Sequence, residues 1–154
     1  MSSKDWDDSF IERFKQSKQT EMIIAIWLLN RGNEVRVPQK HLRKDWSERF
    51  DHADEGDLIV NGKRCEVKGL SRKFECGRWP FSYALLSSKF SYDRMENKPD
   101  IYFLVSGDYS CMAVVDVRKT RDTWTVVSQR DNERNETYDA YCIDPSLLKW
   151  YELK

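Results

Sequence analysis

The dipeptide Asn61-Gly62 constrains this chain more than any other pair of residues. It lies between two short runs of alternating apolar residues, 57–60 and 63–69, and fits the two left-handed positions of a type I′ hairpin turn. With that two-residue loop, residues whose numbers sum to 123 face one another, so Asp57 opposes Glu66 and Ile59 opposes Arg64. Opposed residues share a face, with Cβ atoms roughly 4.5–5.5 Å apart. Lys68, two residues beyond Glu66, points the same way, while Leu58, Val60, Cys65 and Val67 point to the other face. The hairpin therefore has an apolar core face and a face bearing two carboxylates and an ammonium.

Opposed like charges weaken a strand pair, and neighbouring carboxylates resist ionising together. A divalent cation relieves both penalties, and hard oxygen donors suit Mg²⁺ or Mn²⁺. Lys68 is then a point cation beside the metal, able to hold a phosphate oxygen or an attacking water. The simpler alternative is an exposed hairpin face with scattered charges, since Glu-Val-Lys alone is a common tripeptide.

Gly56-Asp57 followed by Glu66-Val67-Lys68 resembles the paired motifs of the PD-(D/E)xK nuclease superfamily, with Gly56 in the place of the family's proline. The resemblance implies an α/β (α+β) fold with a restriction endonuclease-like core. That core is a mixed β-sheet flanked by helices in the order α-β-β-β-α-β, here with extra C-terminal strands. It also implies metal ligation by Asp57, Glu66 and the Val67 carbonyl, catalysis by these carboxylates with Lys68, and a further acid from the first helix.

The chain has 154 residues, 40% of them hydrophobic and 13% aromatic, which is enough for one globular domain spanning 1–154. No apolar run approaches the roughly 20 residues that cross a bilayer. The N-terminus lacks signal-peptide character, so the expected location is cytoplasmic. Cys65, Cys76, Cys111 and Cys142 are widely spaced and read as four reduced thiols. Zinc held by Cys76 with His41 or His52 is a minor alternative. The 26 basic and 26 acidic residues cancel, but not locally. Residues 36–49 carry five basic against two acidic residues, and residues 63–78 six against two. Lys40, Arg43, Lys44, Arg72, Lys73 and Arg78 are accordingly the expected contacts to nucleic-acid phosphates. Ordinary solvated charge is the alternative.

Ser9 to Glu12 reads as a capping box opening a helix over residues 9–31, with Gly32 as its stop. Phe14, Ser17, Glu21, Ile24 or Ala25 and Leu28 recur at three- and four-residue steps, so Glu21 lies on the apolar stripe. That leaves Glu21 either reaching out to water at the stripe's edge or serving as the site's helical acid. A first strand is expected at 33–37, a polar loop with one helical turn at 39–55, and the hairpin over 57–69. A second helix should start at Pro80 or Phe81 and run to about residue 97, burying Ala84, Phe90 and Met95. Strands follow at 101–105, 111–117, 124–127 and 138–143, with a charged loop at 129–137 and a short turn or helix at 145–150.

The leading expectation is a Mg²⁺- or Mn²⁺-dependent phosphodiesterase, a DNA endonuclease in which Glu21, Asp57, Glu66 and Lys68 are catalytic. By resemblance, small single-domain members often act as homodimers on duplex or branched DNA. Two rivals stand beside it: a non-cleaving nucleic-acid-binding module of the same fold, and a structural or protein-interaction domain.

Overall fold

The computed structural model describes residues 3–38, 57–132 and 134–154, with side chains from residue 11 onward. Lys40, Arg43 and Lys44, both histidines and the turn expected near 41–50 lie outside the described residues. Helix α1 spans Ser3–Asn30 and begins earlier than the capping box foretold. It ends as expected. Gly32 takes φ 85°, and the Asn33 and Gly32 N–H groups donate to the Leu28 and Leu29 carbonyls at 3.1 and 3.0 Å.

The chain then forms β1 (Val35–Arg36), β2 (Leu58–Val60) and β3 (Lys63–Gly69). At the β2–β3 turn, Asn61 and Gly62 adopt φ 50° and 79°, and the pairs Leu58↔Cys65, Ile59↔Arg64 and Val60↔Lys63 keep the expected register. Next come β4 (Ala84–Ser88), α2 (Lys89–Arg94), β5 (Ile101–Val105), β6 (Cys111–Asp116) and α3 (Val117–Thr120). The chain closes with β7 (Thr125–Asp131), β8 (Glu136–Ile143) and β9 (Lys149–Glu152).

Strands β1-β2-β3-β5-β6-β9 make a six-stranded sheet, mixed because β3 and β5 run parallel, while β4-β8-β7 make a second sheet of three. Helix α1 covers one face of the larger sheet, where Ile24, Ala25 and Leu28 meet Leu58, Cys65, Val67, Phe103 and Val105. The smaller sheet covers the opposite face, where Ala84, Leu86 and Ile143 meet Tyr102, Leu104 and Val115. Residues alternate along β5 between these two cores, as the pleat requires.

Three expectations are corrected. The stretch read as a long second helix is a strand followed by a six-residue helix. Ala84 and Leu86 are buried with period two, and β8 pairs with Ala84, Leu85, Ser87 and Ser88, so sheet burial overrides the helical propensity of Ala-Leu-Leu. Phe90 is 69% exposed and Met95 is half-buried; Tyr92 is the buried residue of that helix. The loop expected at 129–137 is mostly ladder, because β7 continues to Asp131 and β8 starts at Glu136. Finally, Cys76 and Cys111 form a disulfide with Cα atoms 5.7 Å apart, leaving Cys65 and Cys142 as buried thiols. The β3–β4 connection brings Cys76 onto the start of β6, which also removes it from any zinc site. No described helix is long and apolar enough to cross a membrane.

Candidate functional site

Asp57 stands one residue before β2 and straddles Glu66. Its N–H donates to the Cys65 carbonyl at 3.0 Å, and its Oδ2 accepts from the Val67 N–H at 2.7 Å. β2 has ended here, so the Asp57 carboxylate replaces a ladder partner at the β3 edge. An aspartate does this well because the anion accepts a backbone N–H more strongly than a neutral group would.

Cys65, Val67 and Gly69 face α1; Glu66 and Lys68, alternate to them, face the second sheet. Burial pushes the Lys68 ammonium below the usual lysine range, while Glu66 and Asp57 pull it back up. Both carboxylates therefore act on one half-buried cation. Tyr102 pairs with Glu66 across the parallel ladder, and its hydroxyl lies 2.6 Å from Ser87 Oγ. Burial raises that phenol's pKa, and Glu66 reinforces the shift.

Glu21 is fully buried, as its place on the stripe predicts, and accepts a hydrogen bond from Ser17 Oγ at 3.3 Å. Its neighbour Thr20 presses on the α1-facing side of β3. A Cβ on Gly69 would lie 3.1 Å from Thr20 Oγ1, so the close approach of helix and strand depends on glycine there. The helix thus approaches β3 from the face opposite Glu66 and Lys68. Among the described residues, no three His, Cys, Asp or Glu side chains converge as a metal cluster. What the site offers a cation is the pair Asp57 and Glu66 with the Val67 carbonyl. That set fits Mg²⁺, which binds through one or two carboxylates, retained waters and substrate oxygens.

Lys68 opens onto a cleft of about 1090 Å³ between the middle of α1, the β3–β4 connection and the second sheet. Arg13, Gln16, Ser17 and Thr20 form one wall, at the spacing of a polar helical stripe. That stripe is legible in the sequence as polar residues at three- and four-residue steps. Tyr83, Ser87, Gln129 and Tyr138 form the other wall, and no local signal announced it, since it depends on β4 pairing with β8. Among the described residues, the walls contain Arg13 and Lys68 but no Asp or Glu.

Of the expected phosphate contacts, Arg72, Lys73 and Arg78 are exposed on the β3–β4 connection. Arg72 lies 5.4 Å from the centre of the Phe81 ring, at the cleft wall. Arg78 pairs loosely with Glu75 at 3.9 Å, both side chains being largely exposed. Phe74 anchors this connection. It is buried against Trp79 and Trp150, and its N–H donates to Ser106 Oγ at 2.8 Å. Gly107 lets the connection pass, because a Cβ there would collide with the Ser71 carbonyl and lie 2.9 Å from the Leu70 oxygen.

No protein-family model, curated protein or solved structure matches the chain.

Proposed function

We propose that the protein is a metal-dependent nuclease with a restriction endonuclease-like core, hydrolysing phosphodiester bonds in DNA. The observation that carries this reading is Lys68: a half-buried ammonium on a cleft whose described walls lack carboxylates, with Asp57 and Glu66 both acting on it from behind. A polyanion entering the cleft meets cations and polar groups first. The α1, β1-β2-β3 meander and parallel β3–β5 pair support the fold assignment, although β4 enters between β3 and α2 as part of a second sheet.

In this reading Asp57, Glu66 and the Val67 carbonyl hold Mg²⁺ or Mn²⁺. The ion, when bound, acidifies water and offsets charge growing on the scissile phosphate. Lys68 donates to a phosphate oxygen or orients the attacking water, and its partial desolvation strengthens that interaction. Glu21, buried on α1, enters as a supporting carboxylate. Binding without cleavage is the second reading, favoured by the lack of three converging ligating side chains among the described residues.

Incubating supercoiled, linear, branched and single-stranded DNA with the protein, with Mg²⁺, Mn²⁺ or EDTA, separates the two. Metal-dependent cutting that disappears in Glu66→Gln is expected. Cutting unaffected by that change, or none with either metal, overturns the hydrolytic reading. Asp57→Ala is the less clean variant, because it also strips the acceptor from the Val67 N–H, at a cost of about 1–3 kcal/mol in stability.

A further inference from the structure

We propose that the cleft accepts an unpaired strand of nucleic acid rather than a duplex; this rests on the nucleic-acid reading above, though not on its hydrolytic step. A duplex presents phosphates and buries the faces of its bases. Gripping it calls for several cations along the backbone track. Among the described residues the cleft walls supply Arg13 and Lys68, with Arg72 at the Phe81 ring. What they supply in quantity is aromatic surface and uncharged hydrogen-bonding groups.

Two rings stand out. Phe81, on the β3–β4 connection, is 47% exposed, and Tyr138, on β8, is 40% exposed. Each lines the cleft from a separate element. Both are braced. Phe81 meets Trp79 edge-on at 6.1 Å, and the Trp79 indole N–H donates to the Tyr83 carbonyl at 3.0 Å. Tyr138 lies directly across the ladder from Gln129, whose amide donates to the Tyr83 hydroxyl at 2.7 Å. Arg72 lies over the Phe81 ring, 5.4 Å from its centre, and so brings a cation to the cleft wall within reach of a strand's phosphates. Gln16 and Gln19 add amides that both donate and accept, suited to the free edges of unpaired bases.

A base freed from its partner gains these stacking and edge contacts; a paired base has neither its face nor its pairing edge to offer. The unpaired strand can also follow the cleft over its buried lining residues Leu86, Leu104 and Ser106. Preference for the single strand follows from this chemistry and does not need a metal.

The test is fluorescence anisotropy in EDTA with labelled oligo(dT), oligo(U) and a blunt DNA duplex of equal length. The variants are Phe81→Ala with Tyr138→Ala, and Val126→Ala as an exposed control outside the cleft. Single strands should bind at least about tenfold tighter than the duplex, and each lost ring should weaken them roughly 5- to 150-fold. The duplex and the control should change little, and the tighter of oligo(dT) and oligo(U) identifies the sugar preferred. Equal or tighter duplex binding, no binding to any of the three probes, or a double variant with wild-type affinity overturns the inference. Tight single-strand binding by a protein that never cuts in Mg²⁺ sinks the hydrolytic reading and supports this one. Metal-dependent cutting of duplex by a protein indifferent to single strands does the reverse.

Discussion

The two faces of the six-stranded sheet are built differently. On the α1 face the core is mainly aliphatic, with Ile24, Leu28, Leu58, Val60, Val67 and Val105 closing around one another. On the other face the core is rich in Tyr and Trp, with Tyr92, Trp124 and Tyr141 packed edge-to-face or tilted at centroid distances of 5.2–5.7 Å. Aliphatic packing seals, whereas Tyr and Trp bury a ring and still present a polar tip. The face closed by rings is also the one that bears Glu66, Lys68 and the cleft. It carries the disulfide too, since Cys111 alternates with Met112 of the helix-side core and so points towards the second sheet. An interface with a cleft in it loses packing, and a covalent staple offsets that loss.

The first way to break this comparison is to remove the staple. With 35 residues separating Cys76 from Cys111, the loop-closure estimate is about 3–4 kcal/mol. Cys76→Ser with Cys111→Ser should lower stability by up to that amount in denaturant titration under non-reducing conditions. Hydrogen exchange should quicken first in residues 70–83, which line and flank the cleft, and not in residues 24–28 of α1. Equal loosening of both faces would show that the disulfide supports the whole domain instead of one interface.

Chemistry gives the second test. Under the nuclease reading, Lys68→Ala should lower turnover by roughly 10²–10³-fold, about 2.7–4 kcal/mol, as for a preorganised donor acting in the transition state. The Mg²⁺ concentration for half-maximal activity should move little. Calorimetry showing lost metal binding as the main defect would assign Lys68 to the cation and not to the phosphate.

Glu21 tests whether the α1 face takes part at all. Its carboxylate is fully buried on α1, next in sequence to the Thr20 that packs on Gly69 of β3. Glu21→Gln keeps the shape and can still accept the Ser17 hydrogen bond. If the charge acts on the site through the β3 edge, cleavage should fall about 10- to 100-fold, the range for a group that supports metal ligands. The metal requirement should rise with it. Activity within twofold of wild type would leave a site of three, Asp57, Glu66 and Lys68, with the chemistry confined to one face.

The same contrast sets what the sequence could reveal. Features specified locally were legible. Asn61-Gly62 determined the register that sets Asp57 across from Glu66, Gly32 ended α1, and the apolar runs at 101–105 and 111–116 became the central strands. Features specified by distant pairing were not. Ala84–Ser88 has helical propensity until β8, more than fifty residues later, pairs with it. β7 and β8 carry exposed charged residues in their paired ends, so they imitate a loop. The Asp57, Glu66 and Lys68 cluster was therefore readable, while the cleft wall formed by Tyr83, Gln129 and Tyr138 was not.

The smallest expected effect belongs to the β5–β6 turn, which ties the two regions together. Asp108 Oδ1 accepts from the Ser110 and Ser106 hydroxyls at 2.6 and 2.8 Å, and Ser106 Oγ in turn accepts from the Phe74 N–H of the β3–β4 connection. The Ser110 hydroxyl, then that of Ser106, hold the Asp108 carboxyl down to about 2. Because the folded pKa lies below the unfolded value, the folded state binds fewer protons, so this contribution is complete above about pH 4. It is lost as pH falls through 4 towards 2. Asp108→Asn removes the titrating group, so its stability deficit against wild type should be constant above pH 4 and shrink as the medium is acidified. The side chain is exposed, so the difference is small and best read from paired thermal melts at pH 5, 4, 3 and 2.5. A deficit that stays constant down to pH 2.5 would mean the turn is held by its serine and backbone geometry alone. The link from turn to cleft loop would then not depend on charge.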